Sequence, residues 1–135
     1  MRRLLLVALI ILPVVGACTY GTRVSTIDGA TSPGGFHAYY RTNGDTVHHF
    51  GELFAVDATA LIIRTDLVRR IPWDRLEYLN VDKVGNAFDV KVKQRPDSAK
   101  IERLRLSSRF PQGLSDPLLA QVLATLKQDA IVELP

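Results

Sequence analysis

Three histidines are the side chains of this chain best suited to metal or acid–base chemistry. His48 and His49 are adjacent, Glu52 follows three residues later, and His37 lies upstream. Imidazole nitrogens and carboxylate oxygens are common zinc ligands, so a surface metal site is conceivable. Successive residues of a strand point to opposite faces, however, and His48 and His49 can share one metal only where the chain bends. One packed and one solvated histidine is therefore the favoured interpretation, and a small metal-dependent hydrolase using His48, His49 and Glu52 is the alternative.

Two carboxylates, Asp74 and Glu77, follow Trp73 and form a second candidate for acid–base work. Nothing in the sequence marks a pocket around them, so capping and solvating a turn is the favoured role. The chain contains no nucleophile elbow, no zinc-protease helix motif and no glycine-rich phosphate loop. The sequence therefore predicts a protein that is not an enzyme and that uses no metal and no cofactor.

The single cysteine, Cys18, ends an apolar N-terminal run. The chain begins Met1-Arg2-Arg3, residues 4–17 carry no charge, and Pro13 interrupts them. A bilayer-spanning helix needs about 20 apolar residues, so this shorter run predicts a secretory signal peptide over residues 1–17. One cysteine also excludes an intramolecular disulfide and a cysteine-based zinc finger.

The end of the signal is more specific. Val15-Gly16-Ala17-Cys18 resembles the lipobox of bacterial lipoproteins, which has an aliphatic residue and two small residues before the cysteine. The resemblance implies cleavage before Cys18, a diacylglycerol on its thiol, an acyl chain such as palmitate on its amino group, and the membrane as partner. In enteric bacteria an Asp after the lipidated cysteine favours inner-membrane retention. Thr19 stands there, so the resemblance implies the outer membrane, on its periplasmic side.

Charge and length restrict the class further. The 135 residues suit one small domain. The chain holds 17 Lys and Arg against 14 Asp and Glu, and loss of Arg2 and Arg3 with the signal leaves 15 against 14. A nearly neutral mature chain is not typical of a nucleic-acid-binding protein.

The mature chain divides into a tether and a domain. Residues 18–35 are rich in Gly and hydroxyl side chains and predict a lipidated, flexible tether, with an edge strand over residues 23–27 left open. From residue 36 apolar and polar residues alternate between short turn signals. This pattern predicts one β-rich domain over residues 36–135, with a helical or tight turn at Pro72-Trp73-Asp74. The predicted strands cover residues 36–41, 46–56, 60–64, 67–71, 75–81, 87–93 and 101–107.

Gly51-x-Leu53-x-x-x-Asp57 is similar to the first motif of Sm-like proteins, which are small SH3-like barrels. Ile71-Pro72-x-x-x-Leu76 is similar to the turn that closes such barrels. Gly51 allows a long strand to bend, and Asp57 suits a tight turn. The family's RNA-binding Asn is missing, because Ala60-Leu61 occupies the place of the first motif's Met-Asn pair. The family's Arg-Gly pair does not occur anywhere in the chain. The resemblance therefore implies a barrel without implying RNA binding.

The two last predicted strands carry a basic excess. If residues 87–93 and 101–107 form a hairpin around Asp97-Ser98-Ala99, basic side chains line one face. An ordinary solvated face is the favoured interpretation, and binding of an anionic envelope polymer, lipid phosphate or acidic protein is the functional alternative. The candidate binding residues are Lys91, Lys93, Arg103 and Arg105.

A C-terminal helix is predicted at about residues 116–128. Ser115 or Asp116 can cap it, and four apolar residues recur on one face. Such a short helix is marginal alone, so it packs on the sheet, for which Trp73, Tyr78 and Leu79 are the expected contacts, or docks on a partner. The apolar residues are Leu119, Val122, Leu123 and Leu126.

These features together predict a mostly β protein: a small antiparallel SH3-like barrel or bent sheet with one C-terminal α-helix. The expected function is that of a lipid-anchored cell-envelope protein, a non-catalytic binding or structural accessory module with an envelope protein or anionic envelope polymer as partner. A metal-dependent envelope hydrolase using His48, His49 and Glu52 remains the alternative.

Overall fold

The computed structural model describes residues 24–31 and 34–134. The predicted signal peptide and Cys18 lie outside these residues. Within them the fold is mostly β, as predicted, with one sheet and two α-helices. The strands are β1 (His37–Thr42), β2 (His49–Val56), β3 (Ala60–Arg64), β4 (Val68–Pro72), β5 (Leu76–Val81), β6 (Gly85–Asp89) and β7 (Val132–Glu133). The helices are α1 (Ser98–Leu106) and α2 (Asp116–Leu126), and short 3-10 helices cover Val24–Thr26 and Trp73–Arg75.

The sheet is open and strongly bent. Its strand order is β6-β5-β1-β2-β3-β4-β7, and β7 is its only parallel addition among the described strands. Four strand spacings of about 4.8 Å would place β5 roughly 19 Å from β4 in a flat sheet. Ile71 of β4 and Leu79 of β5 nevertheless belong to one buried cluster. The sheet therefore curves around this first core, which confirms the bent sheet rather than a closed barrel.

Local signals explain the turns of the sheet. The carboxylate Oδ1 of Asp57 accepts the backbone N–H groups of Thr59 and Ala60, each at 2.7 Å, and so closes the β2–β3 turn. The Pro72-Trp73-Asp74 break is a 3-10 turn at Trp73–Arg75, as predicted. These interactions are local in sequence, which is why the pattern located them.

The C-terminal helix packs on the outer face of the sheet. Val122 and Leu123 of α2 are buried in a second cluster with Phe54, Ile62 and Val68 from three neighbouring strands. The expected contacts with Trp73 and Leu79 are wrong, because these two side chains belong to the first cluster on the other face. The helix ends at Leu126, and Lys127 takes a left-handed conformation as its C-cap.

Two other expectations are wrong. Residues 101–107 are not a strand, because most of them belong to helix α1. The side chain of Asp97 accepts the N–H of Lys100 and caps the start of this helix. The predicted strand over residues 87–93 ends at Asp89. The hairpin around Asp97 therefore does not form.

Part of the predicted tether packs on the domain. Val24 and Ile27 are buried in the second cluster, and residues 24–26 form a 3-10 helix instead of an edge strand. The two aliphatic side chains pack this segment on the domain, and the N–H of Thr31 also donates to the carbonyl of Arg109 at 2.8 Å. A chain that begins at residue 18 keeps every core side chain that the structure describes.

Candidate functional site

A β-bulge in β2 lies beside a cleft of the domain. The pairing of β2 with β3 shifts register between Leu53 and Ala55. The carbonyl of Leu53 accepts the N–H of Arg109, and the carbonyl of Phe54 accepts the N–H of Phe110, both at 2.8 Å. The segment that follows α1 is therefore hydrogen-bonded along β2, and it brings Arg109 to the start of the bulge.

Arg109 forms a buried ion pair with Glu52. Its Nε lies 2.8 Å from Oε1 of Glu52, and their side chains are 2% and 16% exposed. The same carboxylate oxygen accepts the N–H of Gly35 at 2.8 Å, and Nη1 of Arg109 donates to the carbonyl of Thr31 at 2.9 Å. One charge pair thus joins β2, the segment before β1 and the segment after α1.

Glycines keep the wall of the cleft thin. A Cβ on Gly35 would lie 2.2 Å from the carbonyl oxygen of Leu53 and 2.7 Å from the nitrogen of Arg109. A Cβ on Gly51 would lie 2.6 Å from the carbonyl oxygen of Arg64, where β2 and β3 approach each other. Neither position can accept a side chain without movement of backbone. Both glycines line a cleft of about 780 Å³.

The opening of the cleft is aromatic. Tyr39 and Phe50 are exposed large side chains on neighbouring strands. The ring of Phe50 lies 4.9 Å from the rings of both Tyr39 and His37, measured between centroids. His37 and Phe50 also line the cleft, together with Phe36, over whose ring Nζ of Lys83 lies at 5.0 Å. We call His37, Tyr39 and Phe50 the aromatic patch.

Charges of both signs surround these rings. Arg64, Lys83 and Arg109 line the cleft together with Glu52 and Asp66. A hydrogen bond from the Thr65 hydroxyl, assisted by Arg69, lowers the pKa of the exposed Asp66 carboxyl to about 2. The carboxylate is therefore ionised at neutral and at mildly acidic pH.

The histidines and Glu52 do not converge on one site. His48 packs edge-on against Tyr78 with ring centroids 4.8 Å apart, whereas Nε2 of His49 lies 3.0 Å from the Asp45 carboxylate. Glu52 is already paired with Arg109. Within residues 24–31 and 34–134, no three His, Cys, Asp or Glu side chains are placed to hold a metal ion.

Asp74 and Glu77, the second candidate for acid–base chemistry, have separate partners. Glu77 lies 3.2 Å from Nε of Arg41 and forms an ion pair with it. Asp74 is exposed on the 3-10 turn, where its backbone carbonyl accepts the side-chain amide of Asn43. Neither carboxylate lines the aromatic cleft.

The predicted basic stripe is split between two elements. Lys91 and Lys93 are exposed in the turn after β6, whereas Arg103 and Arg105 belong to α1. Arg105 is paired with Glu102 at 2.5 Å and also donates to the carbonyl of Pro111. The four side chains therefore do not face one another across a hairpin, and the aligned stripe is wrong because residues 101–107 are helical.

Sequence reasoning missed Arg109 and the aromatic patch. Arg109 is separated from Glu52 by 57 residues, and no local pattern connects them. The exposed aromatic positions did have a signal, since Tyr39 and Phe50 occupy outward positions of two alternating strands. Only the register of β1 against β2, which pairs Tyr39 with Phe50, brings the two rings together.

Comparisons with protein-family models, with curated proteins and with solved structures find no match to this chain. Among the described helices, none is long and apolar enough to cross a membrane.

Proposed function

We propose that this chain is a lipid-anchored protein of the bacterial cell envelope, and that its domain binds a partner protein without catalysing a reaction. The N-terminal pattern that ends in Val15-Gly16-Ala17-Cys18 supports the anchor. The cleft beside the aromatic patch is the single observation that carries the binding role.

The chemistry of the cleft favours a peptide segment as the ligand. Exposed rings of Tyr39 and Phe50 offer apolar area whose burial releases water, at about 25 cal/mol per Å². Charges of both signs, such as Lys83 and Asp66, stand beside them. This combination suits a segment with an apolar side chain flanked by mixed charges, and it does not suit a uniformly anionic polymer.

The cleft is also pre-organised. The buried Arg109–Glu52 pair and the hydrogen bond from Gly35 hold its floor in one arrangement before any ligand arrives. A rigid site loses less conformational entropy on binding than a mobile one. Because Arg109 is 2% exposed, we assign its side chain to support of the site and not to ligand contact.

Site-specific photo-crosslinking in intact cells tests the binding role. A benzophenone side chain in place of Tyr39 is expected to give a discrete protein adduct, and the same probe in place of the exposed Leu106 of α1 is the matched control. Phe50→Ser in the Tyr39 probe strain should reduce that adduct, because Phe50 forms the adjacent part of the patch. Equal adducts from both probe positions, or none from Tyr39, would contradict the proposal.

The anchor has its own test. Cys18→Ala should abolish incorporation of a fatty-acid probe and leave the uncleaved precursor, because the resemblance to the lipobox assigns both steps to this thiol. Cys18 is the only cysteine of the chain, so no other thiol can accept the lipid. Equal labelling of the wild type and Cys18→Ala would reject lipidation while leaving the cleft proposal intact.

A further inference from the structure

The turn after β6 is an ordered projection with an unusual composition. The Asp89–Gln94 bridge closes it with two backbone hydrogen bonds of 2.9 and 3.1 Å. The N–H of Lys93 donates to the carbonyl of Val90, and the Asp89 carboxylate accepts the N–H of Lys91 at 2.9 Å. We call residues 90–95 the basic tip.

Residues 90–93 of the basic tip alternate between exposed valine and lysine, and Gln94 and Arg95 follow them. Val90 is 49% exposed and Val92 is 57% exposed. Lys91, Lys93 and Arg95 are exposed, and residues 90–95 include no acidic side chain. In the part of the chain that the structure describes, none of the three cations forms an ion pair.

This composition does not serve the turn itself. Tight turns favour Gly, Asn and Asp, whereas β-branched residues such as Val are poor turn formers. Lys93 has a φ of 53°, in the left-handed region that favours glycine. Lys83 and Lys127 also have left-handed φ values, so the feature particular to this turn is its pair of exposed valines between cations.

We propose that the basic tip docks on the surface of an anionic phospholipid bilayer. Lys91, Lys93 and Arg95 would lie among the lipid phosphates, and Val90 and Val92 would enter the interface beneath them. Attraction between basic side chains and anionic lipids acts within a Debye length of the surface, about 8–10 Å at ordinary ionic strength. Exposed valines gain from this contact because the interface offers an apolar layer directly below a layer of anionic charge, which matches two valines placed between cations.

The position of the tip is compatible with use of the cleft. The N–H of Val90 donates to the carbonyl of Glu77, so the tip lies by the start of β5. Lys83, which lines the cleft, is in the turn at the other end of the β5–β6 hairpin. The five residues of β6, at about 3.3 Å each, separate the two ends by roughly 17 Å. Docking through the tip leaves the cleft accessible.

Vesicle binding tests the proposal apart from the lipid anchor. Residues 18–135 with Cys18→Ser would be mixed with phosphatidylcholine vesicles that contain or lack 30 mol% phosphatidylglycerol, and the bound fraction would be measured by flotation. We expect at least tenfold tighter binding to the anionic vesicles, with weaker binding at higher salt. Failure to bind anionic vesicles, even if the protein binds an acidic protein instead, would overturn the proposal.

A charge-matched pair of variants separates the tip from overall charge. Lys91→Glu with Lys93→Glu should lower affinity for the anionic vesicles by at least tenfold. Arg103→Glu with Lys127→Glu changes the net charge equally, and both side chains are exposed and lie outside the basic tip and the cleft lining. This control should remain within about twofold of the parent. An equal loss of vesicle affinity in both double variants would show that net charge alone determines binding. That result would reject the tip as the membrane contact.

A fluorescent probe at position 92 tests directly whether the valines of the tip enter the membrane interface. Val92→Cys in the Cys18→Ser background gives one thiol for a polarity-sensitive fluorophore, because the chain has no other cysteine. Anionic vesicles should shift its emission to the blue, whereas Leu67→Cys on the β3–β4 turn should show no shift. An unshifted Val92 probe on vesicle-bound protein would exclude insertion of the tip. Circular dichroism of each variant establishes that it is folded.

Discussion

The cleft and the basic tip lie at opposite ends of the β5–β6 hairpin and use their charges in opposite ways. At the cleft, Arg109 is buried and paired with Glu52. At the tip, Lys91 and Lys93 are exposed and have no ion-pair partner among the described residues. Substitutions at the cleft should therefore change stability first, and those at the tip should change binding with little effect on stability.

Glu52→Gln should give the largest effect. The variant leaves the Arg109 guanidinium buried without its counter-charge, which typically costs about 3–5 kcal/mol of unfolding free energy. Chemical denaturation of residues 18–135 with Cys18→Ser measures this loss. The matched control is Glu133→Gln, because Glu133 is exposed and lies 3.7 Å from Arg70. Such surface pairs contribute about 0–1 kcal/mol, and similar losses in both variants would refute the distinction between buried and exposed charge.

Gly35→Ala should give the next largest effect. The added methyl group would overlap the Leu53 carbonyl oxygen and the Arg109 nitrogen, so backbone must move. Overpacking of this kind costs about 1–3 kcal/mol. Gly85→Ala provides a comparison without a clash, since a Cβ at Gly85 meets nothing within 4 Å, although its φ of 79° adds backbone strain of its own. Thermal unfolding of both variants should therefore separate steric overlap from backbone strain. A smaller loss of stability for Gly35→Ala than for Gly85→Ala would contradict the close backbone contact at Gly35.

The fold could be predicted from the sequence where its signals are local, whereas the Glu52–Arg109 pair could not. The strands and turns from β1 to β5 were predictable because their signals are local, as with Asp57 in its turn. Helix α1 was missed because Arg103-Leu104-Arg105-Leu106 alternates like a strand, whereas the decisive Asp97 cap lies before it. The Glu52–Arg109 pair depends on the β2 bulge and on a segment 57 residues away. No local pattern contains that information.

Lys93→Gly should separate stability from binding at the tip. Glycine removes the steric cost of the left-handed conformation, about 1–2 kcal/mol, but loses more chain entropy on folding, so a net gain of about 0.5–1 kcal/mol is expected. Affinity for anionic vesicles should fall at the same time, because one cation is lost. Lys127→Gly relieves a similar φ of 56° at the end of α2 and should stabilise the domain without changing vesicle binding. Weaker vesicle binding by Lys127→Gly would mean that the tip has no special role.

Substitution of Asp66, which lines the cleft, should give the smallest change in stability, and this change should appear only at acidic pH. Its pKa is lowered to about 2 from the ordinary value of 3.8, chiefly by the Thr65 hydroxyl hydrogen bond and then by Arg69. A lowered pKa in the folded state means that ionised Asp66 stabilises the fold above about pH 4, and that this contribution disappears as pH falls towards 2. Asp66→Asn removes the titration, so the stability of the variant should decline less than that of the wild type between pH 4 and 2. The carboxylate is fully exposed, so the difference should also shrink in high salt. Denaturant midpoints measured at pH 7, 4, 3 and 2 provide the comparison, and parallel profiles for the two proteins would show that the Thr65 and Arg69 contacts do not stabilise the ionised carboxylate in solution.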